Sequence, residues 1–113
     1  MAGKTSVKRY HIYLARLEPT LGSEVGKTRP VVIVSDDLFN KHLEVVVACP
    51  LTTSLHPTWR GRIQITCVGK AAEIAVDQIR TISKQRIIRR MDELSNDDAL
   101  RLRLTITEMY GEP

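Results

Sequence analysis

The hydrophobic pattern of this chain changes period once, near Ser95. Upstream, short apolar or β-branched runs alternate with a period of two, and downstream apolar residues recur every three or four. That single switch predicts a sheet-rich body closed by one terminal helix, a mainly β, α+β arrangement built as a small barrel or strongly curled sheet. Ile12 to Leu17 reads as the first strand, and Arg29 to Ser35 as a β-branched run of the kind buried in a sheet. Asp36 or Asp37 caps one or two helical turns through Lys41. Val45 to Leu51 resumes the strand pattern, and Thr52 to Gly61, polar and carrying Pro57, reads as a mobile loop. In Arg62 to Val68 the residues Arg62, Gln64 and Thr66 share a wet face, while Ile63, Ile65 and Cys67 point inward. Glu73 to Val76 and Gln78 to Ile82 read as two further short strands. In the helix, Ser95 is the N-cap, Asp98 lies near the positive end, and Leu94 can staple against Ala99. Ala99, Leu102, Ile106 and Met109 form its apolar stripe, and Gly111 ends it.

At 113 residues the chain reads as one domain, 1–113, able to bury roughly two thirds of its unfolded surface without disulfide or metal staples. No apolar run approaches the ~20 residues that span a bilayer. Met1 to Tyr10 is basic but precedes no signal-type apolar stretch, so the expectation is a cytoplasmic protein without a membrane partner. Cys49 and Cys67, each in a strand-like apolar setting, are expected to be buried, reduced packing residues. The net charge of +4 is concentrated: between Leu55 and Arg90 eight cations face two acids. A basic stripe of this kind is what a phosphate backbone requires, and it equally serves to keep a face solvated.

Gly22 to Pro30 runs Gly-Ser-Glu-Val-Gly-Lys-Thr-Arg-Pro straight into Val31-Val32-Ile33-Val34. Two glycines let the loop curl toward one point, and Pro30, which lacks an amide hydrogen, fits best as the first residue of the strand, fixing how Arg29 leaves it. The arrangement suits a phosphate, or is a surface turn with a solvated arginine. Hydroxyls at Thr52, Thr53 and Ser54 stand just past the strand ending at Leu51. If the two strands are neighbours, a guanidinium and a hydroxyl meet at one end of the sheet, where they can hold a phosphodiester and stabilise charge developing on its oxygens. RNA carries its own nucleophile in the 2′-hydroxyl, so such a site can cleave RNA without a metal or a covalent intermediate. His11, His42 and His56 are scattered and neither cysteine has a partner at ligand spacing, so no metal or cofactor is expected.

Pro19-Thr20, Gly22-Ser23-Glu24, Arg29-Pro30, Pro50-Leu51-Thr52-Thr53 and Asp77-Gln78-Ile79-Arg80-Thr81-Ile82 together resemble, in order and spacing, the MazF/PemK toxins of bacterial toxin-antitoxin systems. The resemblance spans nearly the whole chain. It implies an SH3-like small barrel of the CcdB/PemK/MazF type that forms a homodimer and acts as a sequence-specific, metal-independent endoribonuclease on single-stranded RNA. It also implies 2′,3′-cyclic phosphate and 5′-hydroxyl ends, and inhibition by a cognate antitoxin whose acidic tail covers the RNA groove. By resemblance Arg29 is the catalytic arginine and Thr52 the threonine that helps hold the scissile phosphate. Glu24 orients Arg29, accepts a proton, or merely shapes its loop.

The remaining expected RNA contacts are Ser23 and Lys27 in the glycine loop, Thr53, and Gln78 with Arg80, whose block is alternatively structural. His56 and Trp59 can stack on unpaired bases, or Trp59 can fold onto its own barrel, with Arg60 and Arg62 on phosphates. Lys84, Arg86, Arg89 and Arg90 track the backbone without reading bases. The family commonly has Gly-Asp where this chain has Tyr10-His11, and an acid where it has Arg16, so groove contacts are expected to differ. His11 is a secondary acid-base candidate. Two alternatives stay open: a non-catalytic toxin of the same fold, like the CcdB gyrase binders, and an RNA-binding barrel without activity.

Overall fold

The structure, a computed structural model, describes residues 6–18 and 27–111. Its elements are β1 (His11–Glu18), β2 (Lys27–Ile33), α1 (Asp37–His42), β3 (Val45–Thr52), β4 (Arg62–Cys67), β5 (Lys70–Ala75), β6 (Arg80–Ser83), β7 (Ile87–Glu93) and α2 (Asn96–Tyr110). Short 3-10 turns at Val76–Gln78 and Lys84–Arg86 flank β6.

β3 is the spine of the sheet. Along one edge it pairs antiparallel with β2, and along the other it is shared between β6, over Val45 to Ala48, and β5, at Leu51 and Thr52. The 3-10 turn between β5 and β6 carries the chain from one half of that edge to the other. The full order β4-β5-β3-β2-β1-β7 curls until its outer strands approach, where the Val68 amide donates to Asp92 Oδ2 of β7 at 2.8 Å. The result is the expected curled half-barrel with a C-terminal helix.

Both faces of the sheet are covered, which explains why β3 and the half of β2 from Pro30 to Ile33 are nearly continuous in apolar residues. Ile12, Val32, Cys49, Leu51, Ile63 and Ile74 share one core with Ala99 and Leu102 of α2. Tyr13, Ala15, Val31, Ile33, Val46 and Ile82 form a second core on the opposite face, reached by Val7. Both cysteines are free and buried, and burial pushes the Cys49 thiol up to about 12. Among the described residues no helix is long and apolar enough to cross a membrane.

The caps form as the sequence dictates. Asp36 Oδ1 accepts from the amides of Leu38 and Phe39, and Ser95 Oγ accepts from the Asp98 amide at 3.1 Å. Several expectations are corrected. Pro30 is inside β2 rather than at its start; pairing with β3 opens only at Val31, so that ladder does not need an amide from Pro30. The expected strand from Gln78 to Ile82 is a 3-10 turn followed by β6. β7 was not anticipated at all. The face of β4 expected to be wet is exposed at Thr66 and half-buried at Gln64 and Arg62, with the Arg62 side chain only 6% exposed.

The β4–β5 hairpin turns on Val68 and Gly69 alone, since Cys67 pairs with Lys70. Both turn residues have positive φ, 50° and 77°, as the tight hairpin turn requires. For a β-branched valine that conformation is strained, and its exposed side chain gives little burial in return. Val68→Asn is therefore expected to stabilise the fold by about 0.5–1 kcal/mol, read as a raised midpoint in thermal unfolding.

Candidate active site

The site is built on one row across the sheet. Thr52 of β3 pairs with Glu73 of β5, and Glu73 with Gln64 of β4. Continuing the β2–β3 register two residues beyond its last pair, Val31 with Pro50, brings Arg29 opposite Thr52. Paired residues in a row project to the same face. Arg29 and Thr52 accordingly line the same cavity of about 200 Å³, together with Pro50, Ser54, His56, Arg62, Ala75 and Gln78.

The two arginines in this cavity differ in kind. Arg29 is exposed, and among the described residues its guanidinium has no hydrogen-bond or ion-pair partner. Arg62 is spent internally: Nη1 donates to Glu73 Oε2 at 2.6 Å and Nε to Asp77 Oδ1 at 2.8 Å. Those hydrogen bonds, to Asp77 first and then Glu73, raise its pKa further against the pull of burial. Any contact of Arg62 with an RNA phosphate therefore competes with two carboxylates that already accept from all three of its nitrogens.

Glu73 is fully buried and is the hub that sequence reasoning missed. Besides Arg62, it accepts from Gln64 Nε2 at 2.7 Å and from the backbone amide of His56 at 2.5 Å. Burial alone would raise its pKa, yet the hydrogen bonds from Gln64, Arg62 and the His56 amide outweigh it and hold the carboxyl below the usual range. Through the His56 amide, Glu73 pins the loop after β3 to the sheet. In that loop His56 and Trp59 stack on each other, centroids 3.8 Å apart and planes within 8°, and the Arg62 guanidinium sits 4.8 Å from the Trp59 ring centroid. Trp59 is half exposed, but an incoming base would meet this assembled pair, not a lone ring.

The Thr52 hydroxyl oxygen accepts from the Ser54 amide at 3.0 Å. This leaves its hydrogen to donate to an anion. Two further cavities adjoin Arg29. One, about 460 Å³, is lined by Lys27, Gln78 and Arg80 with Leu17 and Pro50. The other, about 440 Å³, is mostly apolar and runs from Arg29, Thr52 and Thr53 past Pro30 and Leu51 to Val68, Lys70 and Met91.

Of the residues expected at the site, the fold therefore gathers Arg29, Thr52, Thr53, His56, Arg62, Lys27, Gln78 and Arg80. Ser23 and Glu24 lie outside the described residues. Arg60 turns away to Glu108 at 3.5 Å. Lys84 and Arg86 line none of the three cavities, and Arg86 Nη1 donates to the Arg16 carbonyl at 3.1 Å. Arg90 is tied to Glu93 and to His11 Nδ1, which removes His11 from the site to the β1–β7 edge. The basic stripe is thus thinner in space than in sequence. Among the described residues no three His, Cys, Asp or Glu side chains are grouped so as to hold a metal ion.

Known proteins share this fold and sequence pattern. Endoribonuclease EndoA from Bacillus subtilis is 30% identical over 116 residues, covering 90% of this chain and 97% of its own. The Mycobacterium tuberculosis toxin MazF-mt6 superposes with a TM-score of 0.76 at 20% identity, covering 91% of this chain and 98% of that one. A MazE-MazF complex from Deinococcus radiodurans superposes at 0.82 and 19% identity over 97% of this chain and 100% of its match. An endoribonuclease solved with its cognate antitoxin from a mycobacterial species gives 0.78 and 21% over 94% and 96%. At these identities the superpositions establish the half-barrel. The sequence profile of PemK-like, MazF-like toxins matches residues 8–110, from the segment before β1 to the last residue of α2, and the chain belongs to that family of type II toxin-antitoxin toxins.

Proposed function

We propose that the protein is a cytoplasmic, metal-independent endoribonuclease that cuts single-stranded RNA at a short recognition sequence. The Arg29 guanidinium and the Thr52 hydroxyl hold the scissile phosphate. As the 2′-oxygen attacks phosphorus they stabilise the charge that grows on the non-bridging oxygens, and the products are a 2′,3′-cyclic phosphate and a 5′-hydroxyl. One observation carries this reading: the uncommitted cation and the hydroxyl line a single cavity. Lys27 and Arg80, beside the neighbouring cavity, hold an adjacent phosphate, and Gln78 lies between the two. The same cations would attract the acidic tail of a cognate antitoxin, and relatives solved with antitoxins support that partner. A homodimer would join two such grooves.

A chimeric RNA tests the mechanism. Replacing one 2′-hydroxyl by hydrogen at a mapped cut is expected to abolish cleavage there alone, and chelators are expected to leave the rate on the all-ribose RNA unchanged. Cutting at the deoxy position would end the 2′-hydroxyl mechanism, and loss of cleavage on chelation would end the metal-free one. RNA that stays intact yet binds in a salt-dependent way would favour the inactive barrel, and inhibition of a topoisomerase would favour the gyrase-binding type.

A further inference from the structure

The proposed reaction needs a proton donor. The 2′-hydroxyl must lose a proton as it attacks, and the 5′-oxygen, a poor leaving group as an alkoxide, must gain one as its bond to phosphorus breaks. The polar residues that line the 200 Å³ cavity are Thr52 and Ser54, which carry hydroxyls, Gln78, which carries an amide, Arg29 and Arg62, which carry guanidiniums, and His56, which carries an imidazole. Hydroxyls and amides do not exchange protons usefully near neutrality, and guanidiniums remain protonated. Imidazole is the side chain that most often carries out such a transfer.

The structure also treats His56 as a group held in position. Its backbone amide is tied to the buried Glu73 at 2.5 Å, and the Trp59 amide donates back to its carbonyl at 3.0 Å. Its ring lies flat against Trp59, which fixes the ring plane. Among the described residues neither ring nitrogen has a hydrogen-bond partner.

We propose that His56 is the general acid of this site: its imidazolium passes a proton to the departing 5′-oxygen while the 2′-oxygen closes onto phosphorus. The O2′–P bond forms, the P–O5′ bond breaks, the 2′-hydroxyl proton goes to water, and water later reprotonates His56. This assignment rests on the ribonuclease reading and on Arg29 and Thr52 holding the phosphate. It gives His56 a chemical task in place of base stacking.

The test uses the full chain and two versions of one mapped RNA, the natural one and one with sulfur replacing the bridging 5′-oxygen at the cut. A thiolate leaves without a proton. His56→Gln and His56→Ala are expected to lower kcat on the natural RNA about a hundredfold or more with KM nearly unchanged, and to cleave the sulfur-bridged RNA within about threefold of wild type. Arg29→Ala is expected to be impaired on both, since charge stabilisation at the phosphate is needed whichever group leaves. A defect in the His56 variants of equal size on both substrates would show a merely structural role and overturn the inference, as would natural-RNA activity within threefold of wild type. A wild-type protein that cuts neither RNA would instead overturn the ribonuclease reading itself.

Discussion

Arg29→Ala is expected to slow cleavage of a mapped RNA by about 10²–10³-fold, the range seen when one preorganised charge-stabilising donor is removed from an active site. Stability should stay within about 0.5 kcal/mol of wild type, because the residue is exposed and its guanidinium has no partner among the described residues whose loss would leave a group stranded. The loss should fall on kcat, since the interaction strengthens as charge accumulates in the transition state. Arg29→Lys should restore little, for a point charge cannot reproduce the two parallel donors of a guanidinium on a phosphate. Thr52→Ala removes one neutral donor and should cost less, with Thr52→Ser close to wild type. Lys27→Ala gives the contrasting pattern. It should weaken all substrates alike and reduce the slope of log affinity against log salt by about one. Kinetics on a single substrate, with unfolding curves for each variant, check the set. An Arg29→Ala protein that cuts at the wild-type rate would remove the proposed centre.

Much of this site was legible because its two principal residues flank neighbouring apolar runs that are plain. Val31 to Val34 and Val45 to Leu51 announce buried β-structure, and once they pair, Arg29 and Thr52 must meet. The helix was equally legible, since Ser95, Asp98 and Gly111 act within a turn of where they stand. What escaped depended on distant partners. β7 carries Arg89, Arg90, Asp92 and Glu93 among its seven residues, a composition that reads as solvated charge. It forms a strand because it pairs with β1 at the sheet edge, where few apolar residues are needed. Glu73 looks unremarkable between Ala72 and Ile74, and only the hairpin register that sets Gln64 beside it, with Arg62 two residues away, makes it the buried hub. That signal was present: Val68-Gly69 sets the register, and folding β4 onto β5 about that turn places the polar face of one strand against the lone acid of the other. The eight-cation surplus misled in the opposite sense, since counting charges in sequence ignores Glu93 and Glu108, which fold back onto Arg90 and Arg60.

Glu73→Ala is expected to be the most destabilising single change in the site, at about 3 kcal/mol or more, because removing one partner of a buried ion pair strands the other. Arg62, 6% exposed, would keep only Asp77, while Gln64 and the His56 amide would lose their acceptor. For a domain of this size that corresponds to a fall in Tm of more than about 10 °C. Glu73→Gln preserves shape and some hydrogen bonding, and so isolates the charge. With the folded carboxyl held below the ordinary 4.5, the native state binds its proton less readily than the unfolded chain. The contribution is therefore complete above pH 4.5 and is lost as pH falls through the folded value. Unfolding measured from pH 7 downward should show wild-type stability eroding below 4.5, and Glu73→Gln eroding less over the same window. A residual slope in Glu73→Gln should persist from Asp92, whose carboxyl is held below 3.8 by the amides of Val68 and Glu93. If the two curves run parallel down to pH 3, the folded Glu73 carboxyl is not held below its ordinary value, and a wild-type stability that instead rises as pH falls toward 4.5 would show it neutral in the native protein. Cleavage should separate the roles further: at a temperature where Glu73→Ala remains folded, its rate should still fall, because the His56 loop has lost its anchor to the sheet while Arg29 and Thr52 have lost nothing.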